Sequence, residues 1–80
     1  MKLSIISLKG IQYQGDVKSL TLTTTSGEIT ILDKHQPLIS SFNKNTATII
    51  DDQNNKKFME LNTGFLEMNS DNKLTVLVDA

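Results

Sequence analysis

GEITILDKHQPLIS, residues 27–40, holds the only histidine and the only proline of the chain. Glu28–Leu32 alternates, with Ile29 and Ile31 on one side and Glu28 and Thr30 on the other. That is the period of a half-buried strand. Ser26-Gly27 just before it is a turn signal, and the polar run Asp33–Gln36 after it reads as a loop. Pro37 has no amide hydrogen to give to a ladder, so it marks the start or the edge of the next strand. A strand entered through a tight turn and left through a proline-stiffened loop predicts a β-architecture. The flanking segments repeat the pattern.

Upstream, Lys2–Leu8 is a β-branched and aliphatic run stopped by Lys9-Gly10. Ile11–Gln14 is short and is followed by Gly15-Asp16, which reads as a turn. Val17–Thr25 is the longest strand candidate, with Leu20 and Leu22 on one face and Ser19, Thr21 and Thr23 on the other. Downstream, Leu38–Phe42, Thr46–Ile50 with Ala47 and Ile49 inward, Lys57–Asn62, Phe65–Met68 and Leu74–Val78 read as strands. Asn43–Asn45, Thr63-Gly64 and Asn69–Asn72 read as turns. DDQNNKK, residues 51–57, lacks any apolar residue and predicts a hairpin loop in which Asn54-Asn55 takes left-handed backbone angles. The sum is about eight to ten short strands and no helical period, which predicts an antiparallel sandwich or barrel.

Eighty residues make one domain at most. A chain this short has one core, yet its last hairpin is apolar on both faces. Phe65 and Glu67 share one face and Leu66 and Met68 the other; Leu74, Val76 and Val78 oppose Thr75 and Leu77. Some of these side chains are therefore candidates for a surface that a partner covers.

Composition excludes several function classes. There is no cysteine, so no disulfide reinforces the fold and no thiolate serves as nucleophile or metal ligand. The net charge is −1 and all eight cations are lysine, so there is neither a basic nucleic-acid surface nor a guanidinium fork for phosphate. No apolar run approaches the ~20 residues of a membrane-spanning helix, and MKLSIISLKG is too polar for a signal peptide. His35 has Asp33 close by but no second histidine, which argues against zinc. No nucleophile elbow surrounds any serine. Asp51, Asp52, Asp71 and Asp79 sit in turns or at the end without the spacing of a calcium loop. The four glycines lie too far apart to cradle phosphate. The residues alone give no enzyme and no cofactor, and leave a small β-sandwich binding or adaptor module.

Four stretches in order resemble the N-terminal domain of the epsilon subunit of rotary F-type ATP synthases. Tyr13 and Gly15 before the long strand match its opening. Gly27-Glu28-Ile29-Thr30-Ile31-Leu32-Asp33-Lys34-His35-Gln36-Pro37-Leu38 resembles its Gly-Glu-x-Gly-x-Leu-Pro-Gly-His-x-Pro-Leu. Thr63-Gly64-Phe65-Leu66-Glu67-Met68 resembles Gly-Gly-Phe-x-Glu-Val, and Leu74-Thr75-Val76-Leu77-Val78-Asp79 resembles Val-Thr-Val-Leu-Ala-Asp. Thr30, Asp33, Lys34 and Thr63 replace residues that are usually Gly, Pro, Gly and Gly. Asn45 stands where a turn glycine is usual, and asparagine tolerates positive φ.

The resemblance implies one domain over residues 1–80: an all-β, antiparallel, ten-stranded sandwich of two five-stranded sheets. It implies a non-catalytic central-stalk subunit between the gamma shaft and the c ring, needing no cofactor, during proton-driven ATP synthesis. Glu28 matches the residue that meets the c ring, and Ser7 and His35 match residues that lie against gamma. The place implied is the cytoplasmic face of a bacterial cell membrane, peripheral and held through the complex. Family members usually continue into a two-helix hairpin beyond the point matching Ala80. The expectation is a domain without that hairpin, binding no ATP and not inhibiting hydrolysis through an extended tail.

Overall fold

A computed structural model describes residues 1–79. Its strands are β1 (Lys2–Ser7), β2 (Gly10–Thr24), β3 (Gly27–Leu32), β4 (Leu38–Phe42), β5 (Asn45–Asp51), β6 (Lys56–Leu61), β7 (Gly64–Met68) and β8 (Lys73–Val78), with no helix among the described residues. Strand order runs β4-β7-β8-β1-β2-β5-β6, with β3 also on β2. β2 pairs with β1 along Gly10–Asp16 and with β3 and β5 beyond Val17. It therefore belongs to two layers. The first is β4-β7-β8-β1 with the front of β2; the second is β3, the back of β2, β5 and β6.

Three expectations are corrected. The described residues form eight strands, not ten in two five-stranded sheets, and the second layer has four members among them. The architecture is not wholly antiparallel, because β1 lies parallel to β8. The two ends of the chain supply neighbouring strands that run the same way, and no turn constrains them to oppose. Gly15-Asp16 is not a turn: Gly15 pairs with Leu3 and Asp16 with Lys2 inside the ladder. The Tyr13 side chain lies beside Gly15, where a methyl group would meet it at 3.7 to 3.9 Å. The strand continues, and the change of layer falls on a bulge between Val17 and Ser19.

One core fills the space between the layers. Leu3, Ile5, Leu66, Met68, Leu74 and Val76 point in from the first; Leu20, Leu22, Ile31, Ala47, Ile49 and Leu61 point in from the second, and all belong to one buried cluster. Fully burying one such aliphatic side chain contributes about 1.5–3 kcal/mol. The alternation seen in the sequence is thus the alternation of the two faces.

Tight connections set the layers. Gly10 and Gly27 end the first two turns at φ +119° and +116°, where a side chain is strained. The β5–β6 and β7–β8 loops share one device. The Asp51 carboxylate accepts the amides of Gln53 and Asn55 (2.9 and 2.9 Å), and the Asn69 side-chain oxygen accepts those of Asp71 and Lys73 (2.9 and 3.1 Å). The fourth residue of each, Asn54 or Asn72, takes φ +66° or +61°. Asn45 does not take positive φ. It holds the β4–β5 turn through its side chain, accepting the Thr23 amide (3.0 Å) and donating to the Asn43 carbonyl (2.7 Å).

The β3–β4 loop is fastened differently. Asp33 Oδ1 accepts from the Met1 ammonium (2.5 Å) and from Asn72 Nδ2 (2.8 Å). The ammonium also donates to the Val17 carbonyl (3.1 Å). The Met1 ammonium, then the Asn72 amide, hold the Asp33 carboxyl below the usual carboxylate range. Asp51 is lowered first by the Asn55 amide.

Gly64 faces the carbonyl of Leu77, and an added Cβ would stand 1.9 Å from that oxygen. Backbone cannot move aside as a side chain can. Gly64→Ala is expected to cost about 3 kcal/mol or more, a large part of the roughly 5–10 kcal/mol of a domain this size. Gly15→Ala, with only ordinary contacts, is expected to lower the urea midpoint far less. Equal midpoints for the two variants would contradict the packing described.

Acid titration checks the two carboxylates. Both have folded-state values below the unfolded ~3.9, so the stability they contribute is present above that pH. It is lost as pH falls through it toward the folded values. Asp33→Asn is expected to make stability less steep with pH in this window, measured by chemical unfolding at a series of pH values. An unchanged slope would contradict the role of the Met1–Asp33 pair.

Candidate functional site

Strand parity that fills the core leaves the other side chains on the outer faces. On the first layer one cross-strand row is apolar. Phe65 pairs with Leu77, Leu77 with Ile6, and Ile6 with Ile11. Phe65 is 57% exposed, Leu77 48% and Ile11 61%, while Ile6 is half-buried. Ile39, 75% exposed on β4, lies diagonally from Phe65 across the Ser41–Phe65 pair. Leu8, at the tip of the β1–β2 turn beside the row, is 97% exposed. A shallow depression of about 310 Å³ lies between β4, β7 and β8, lined by Ile39, Phe65, Leu66, Glu67, Thr75 and Leu77. Six large apolar groups near one another on one face of so small a domain are the mark of a surface made to be covered.

The same face is polar further along. Lys73 pairs with Lys2, and Lys2 with Asp16. The outer face of the second layer is hydroxyl-rich: Thr21 lies opposite both Thr30 and Thr48, and Thr21 and Thr30 share a hydrogen bond of 2.9 Å. Phe58, on β6, is its large exposed aromatic.

Ser7, Glu28 and His35 are not gathered into one site. Ser7 ends β1, where its hydroxyl accepts from the Lys9 amide (3.1 Å) and from Gln12 Nε2 (3.0 Å). By strand parity its side chain lies on the side of Ile5, opposite Ile6, and it lines a hollow with Met59, Glu60 and Leu61. Glu28, the second residue of β3, lies on the outer face of the second layer, exposed and opposite Thr23. His35 lies in the β3–β4 loop, which is fastened to Met1 and Asn72 at the opposite end of β1 from Ser7. Its amide donates to the Leu32 carbonyl (3.1 Å), and its ring Nδ1 lies 2.7 Å from the Gln36 carbonyl, which calls for the proton on Nδ1. Ser7 and Glu28 share the end that carries the β1–β2 and β2–β3 turns; His35 shares its end with Met1 and Asn72.

Among the described residues no group of three or more His, Asp or Glu side chains stands close enough to hold a metal ion. The arrangement offers contact surfaces. Sequence reading finds the doubly apolar hairpin and leaves open which face turns out; the structure turns out Phe65 and Leu77. It misses Ile6, Ile11 and Ile39; only Ile6 had a local signal, the adjacent pair Ile5-Ile6, since in a strand one of two neighbours must face out.

The chain matches, over residues 1–80, the family described as ATP synthase, Delta/Epsilon chain, beta-sandwich domain. It is 34% identical over 79 residues to the ATP synthase epsilon chain of Nitratiruptor, covering 99% of this chain and 60% of that one. It is 30% identical over 79 residues to the ATP synthase epsilon chain of Sulfurovum, covering 99% and 61%. The chain thus spans about three fifths of the length of these curated relatives. Among solved structures it superposes on a chain of the Euglena gracilis mitochondrial ATP synthase with TM-score 0.88 at 17% identity, covering 95% of this chain and 48% of that one. It superposes on one from the Tetrahymena thermophila mitochondrial ATP synthase central stalk and c ring with TM-score 0.83 at 14% identity, covering 100% and 63%. By sequence along its whole length and by fold, this chain belongs to the family of ATP synthase delta/epsilon-chain β-sandwich domains.

Proposed function

We propose that this chain is a non-catalytic rotor-stalk subunit that joins the gamma shaft to the c ring of an F-type ATP synthase. It works at the cytoplasmic face of a bacterial membrane and is held there through the complex. The observation that carries the reading is the separation of two surfaces on one rigid domain. The apolar row Phe65–Leu77–Ile6–Ile11 crosses the outer face of the first layer, and Glu28 lies on the outer face of the second. A part that transmits torque needs two such attachments on a body that does not shear. A core shared by both layers supplies that stiffness.

Gamma takes the apolar row, with Ser7 at the end of β1 and His35 at the far end of the molecule as further contacts. Burial of large side chains at the centre of such a surface is where binding energy concentrates. The c ring takes the end that carries Glu28, whose exposed carboxylate reaches polar loops without desolvating a core. The apolar surface and the charged one thus divide the work. The first gives adhesion to the shaft, and the second gives a polar hold on the ring. The names of the relatives, epsilon chains of ATP synthases, and the central-stalk source of a structural neighbour support the reading.

Affinity for purified gamma, measured by calorimetry, tests the first surface. Phe65→Ser with Leu77→Ser is expected to weaken binding by tenfold or more, about 1.4 kcal/mol, with little change in melting temperature because both side chains are already exposed. Phe58→Ser on the other layer is expected to leave affinity unchanged. Equal effects of the two sets would refute the assignment of the face. For the second surface, Glu28→Ala is expected to reduce recovery of the c ring in co-purification while gamma is retained. Loss of gamma together with the ring would contradict the division.

A further inference from the structure

The loop that carries His35 is built on an unfavourable backbone. Lys34 stands at φ +62°, a conformation in which a residue with a Cβ is strained and glycine is not. No glycine lies within the loop to relieve it. The strain must be offset by contacts, and three of the loop's contacts come from one residue of a different hairpin or from the group beside it. Asn72 Nδ2 donates to Asp33 Oδ1 at 2.8 Å, and Asn72 Oδ1 accepts the Lys34 amide at 2.7 Å. The Met1 ammonium donates to the same Asp33 Oδ1. The Asn72 carbonyl in turn accepts the Lys2 amide at 3.1 Å. On the far side of His35, Pro37 fixes its own φ.

We infer that Asn72 is a positioning residue for the His35 loop. Its side chain grips Asp33 and Lys34, the two residues immediately before the histidine, and holds Lys34 in the left-handed conformation that aims His35. Asn72 is itself suited to this, because it sits at φ +61° at the fourth position of its own loop. That geometry turns its amide out of the β7–β8 hairpin and toward β3–β4. An ordered loop loses less conformational freedom when a partner binds than a loose one does. The consequence for gamma rests on the function proposed above; the positioning of the loop does not.

Two variants test it. Asn72→Gly keeps the positive φ and removes only the gripping amide. Asn72→Gly with Lys34→Gly also removes the strain that the grip offsets. In the free, isotopically labelled chain, Asn72→Gly is expected to shift or broaden the amide signals of residues 33–35 and the His35 imidazole signals, while the core methyls of Ile5 and Val76 keep theirs. The double variant is expected to restore a single set of loop signals. Affinity for gamma is expected to fall about threefold to tenfold in the single variant and to recover in the double one. A hydrogen bond that served stability alone would lower the melting temperature and would not be rescued in affinity by Lys34→Gly. Unaltered loop signals in Asn72→Gly would overturn the inference. So would a disturbed loop that Lys34→Gly fails to restore. Absence of gamma binding by the unaltered chain would contradict the proposed function, and the loop signals would still decide this inference.

Discussion

Residues 10–24 form one unbroken strand that hydrogen-bonds in both layers, to β1 along its front and to β3 and β5 along its back. The other strands take their places from it. Because a single strand ties the layers, neither can slide without breaking a ladder. A slip of one residue would turn Leu20 and Leu22 out to solvent. The shared core follows from that constraint: side chains from both layers enter one buried cluster. Gly64 lets β7 come close to β8 at Leu77, and Leu66, Met68, Leu74 and Val76 of these two strands are buried.

The fixed parity of the strands also decides what is left outside. Residues that fill the core consume one face of each strand, and the chain then spends apolar residues on the other face of the first layer. Phe65, Leu77, Ile11 and Ile39 stay exposed. No fold-internal reason requires them there, and each costs solubility. The stalk role proposed above would account for that cost, with adhesion to a shaft on this side and a polar end for the ring.

Much of the fold was legible because period-two alternation reports burial directly. Ile31, Ala47 and Ile49 read as inward and are buried, and Leu20 and Leu22, read as sharing one face, are buried together. The hairpin loop read at 51–57 from its lack of apolar residues is there but shorter, since Lys56 and Lys57 already belong to β6, and of Asn54 and Asn55 only Asn54 takes the left-handed conformation. What failed was what depends on distant partners. Gly15-Asp16 has the composition of a turn, but pairing with Leu3 and Lys2 keeps it extended. The parallel β1–β8 pair joins the two ends of the chain and leaves no local mark. The same holds for the loop clamp, since Met1, Asp33 and Asn72 meet only in space. For Glu28, Ser7 and His35, the resemblance supplied the roles and the structure supplied the positions, with Ser7 and His35 at opposite ends.

Hydroxyl-radical footprinting of the chain with and without gamma would separate the two layers in one measurement, because each carries one large exposed phenylalanine. Phe65 and Phe58 are 57% and 64% exposed, so each begins open to the radical. Gamma is predicted to protect Phe65, Leu77 and Ile39 and to leave the oxidation of Phe58 unchanged. Protection of Phe58 with Phe65 and Leu77 still reactive would mean that the shaft binds the second layer, and the apolar row would not be the gamma-facing surface.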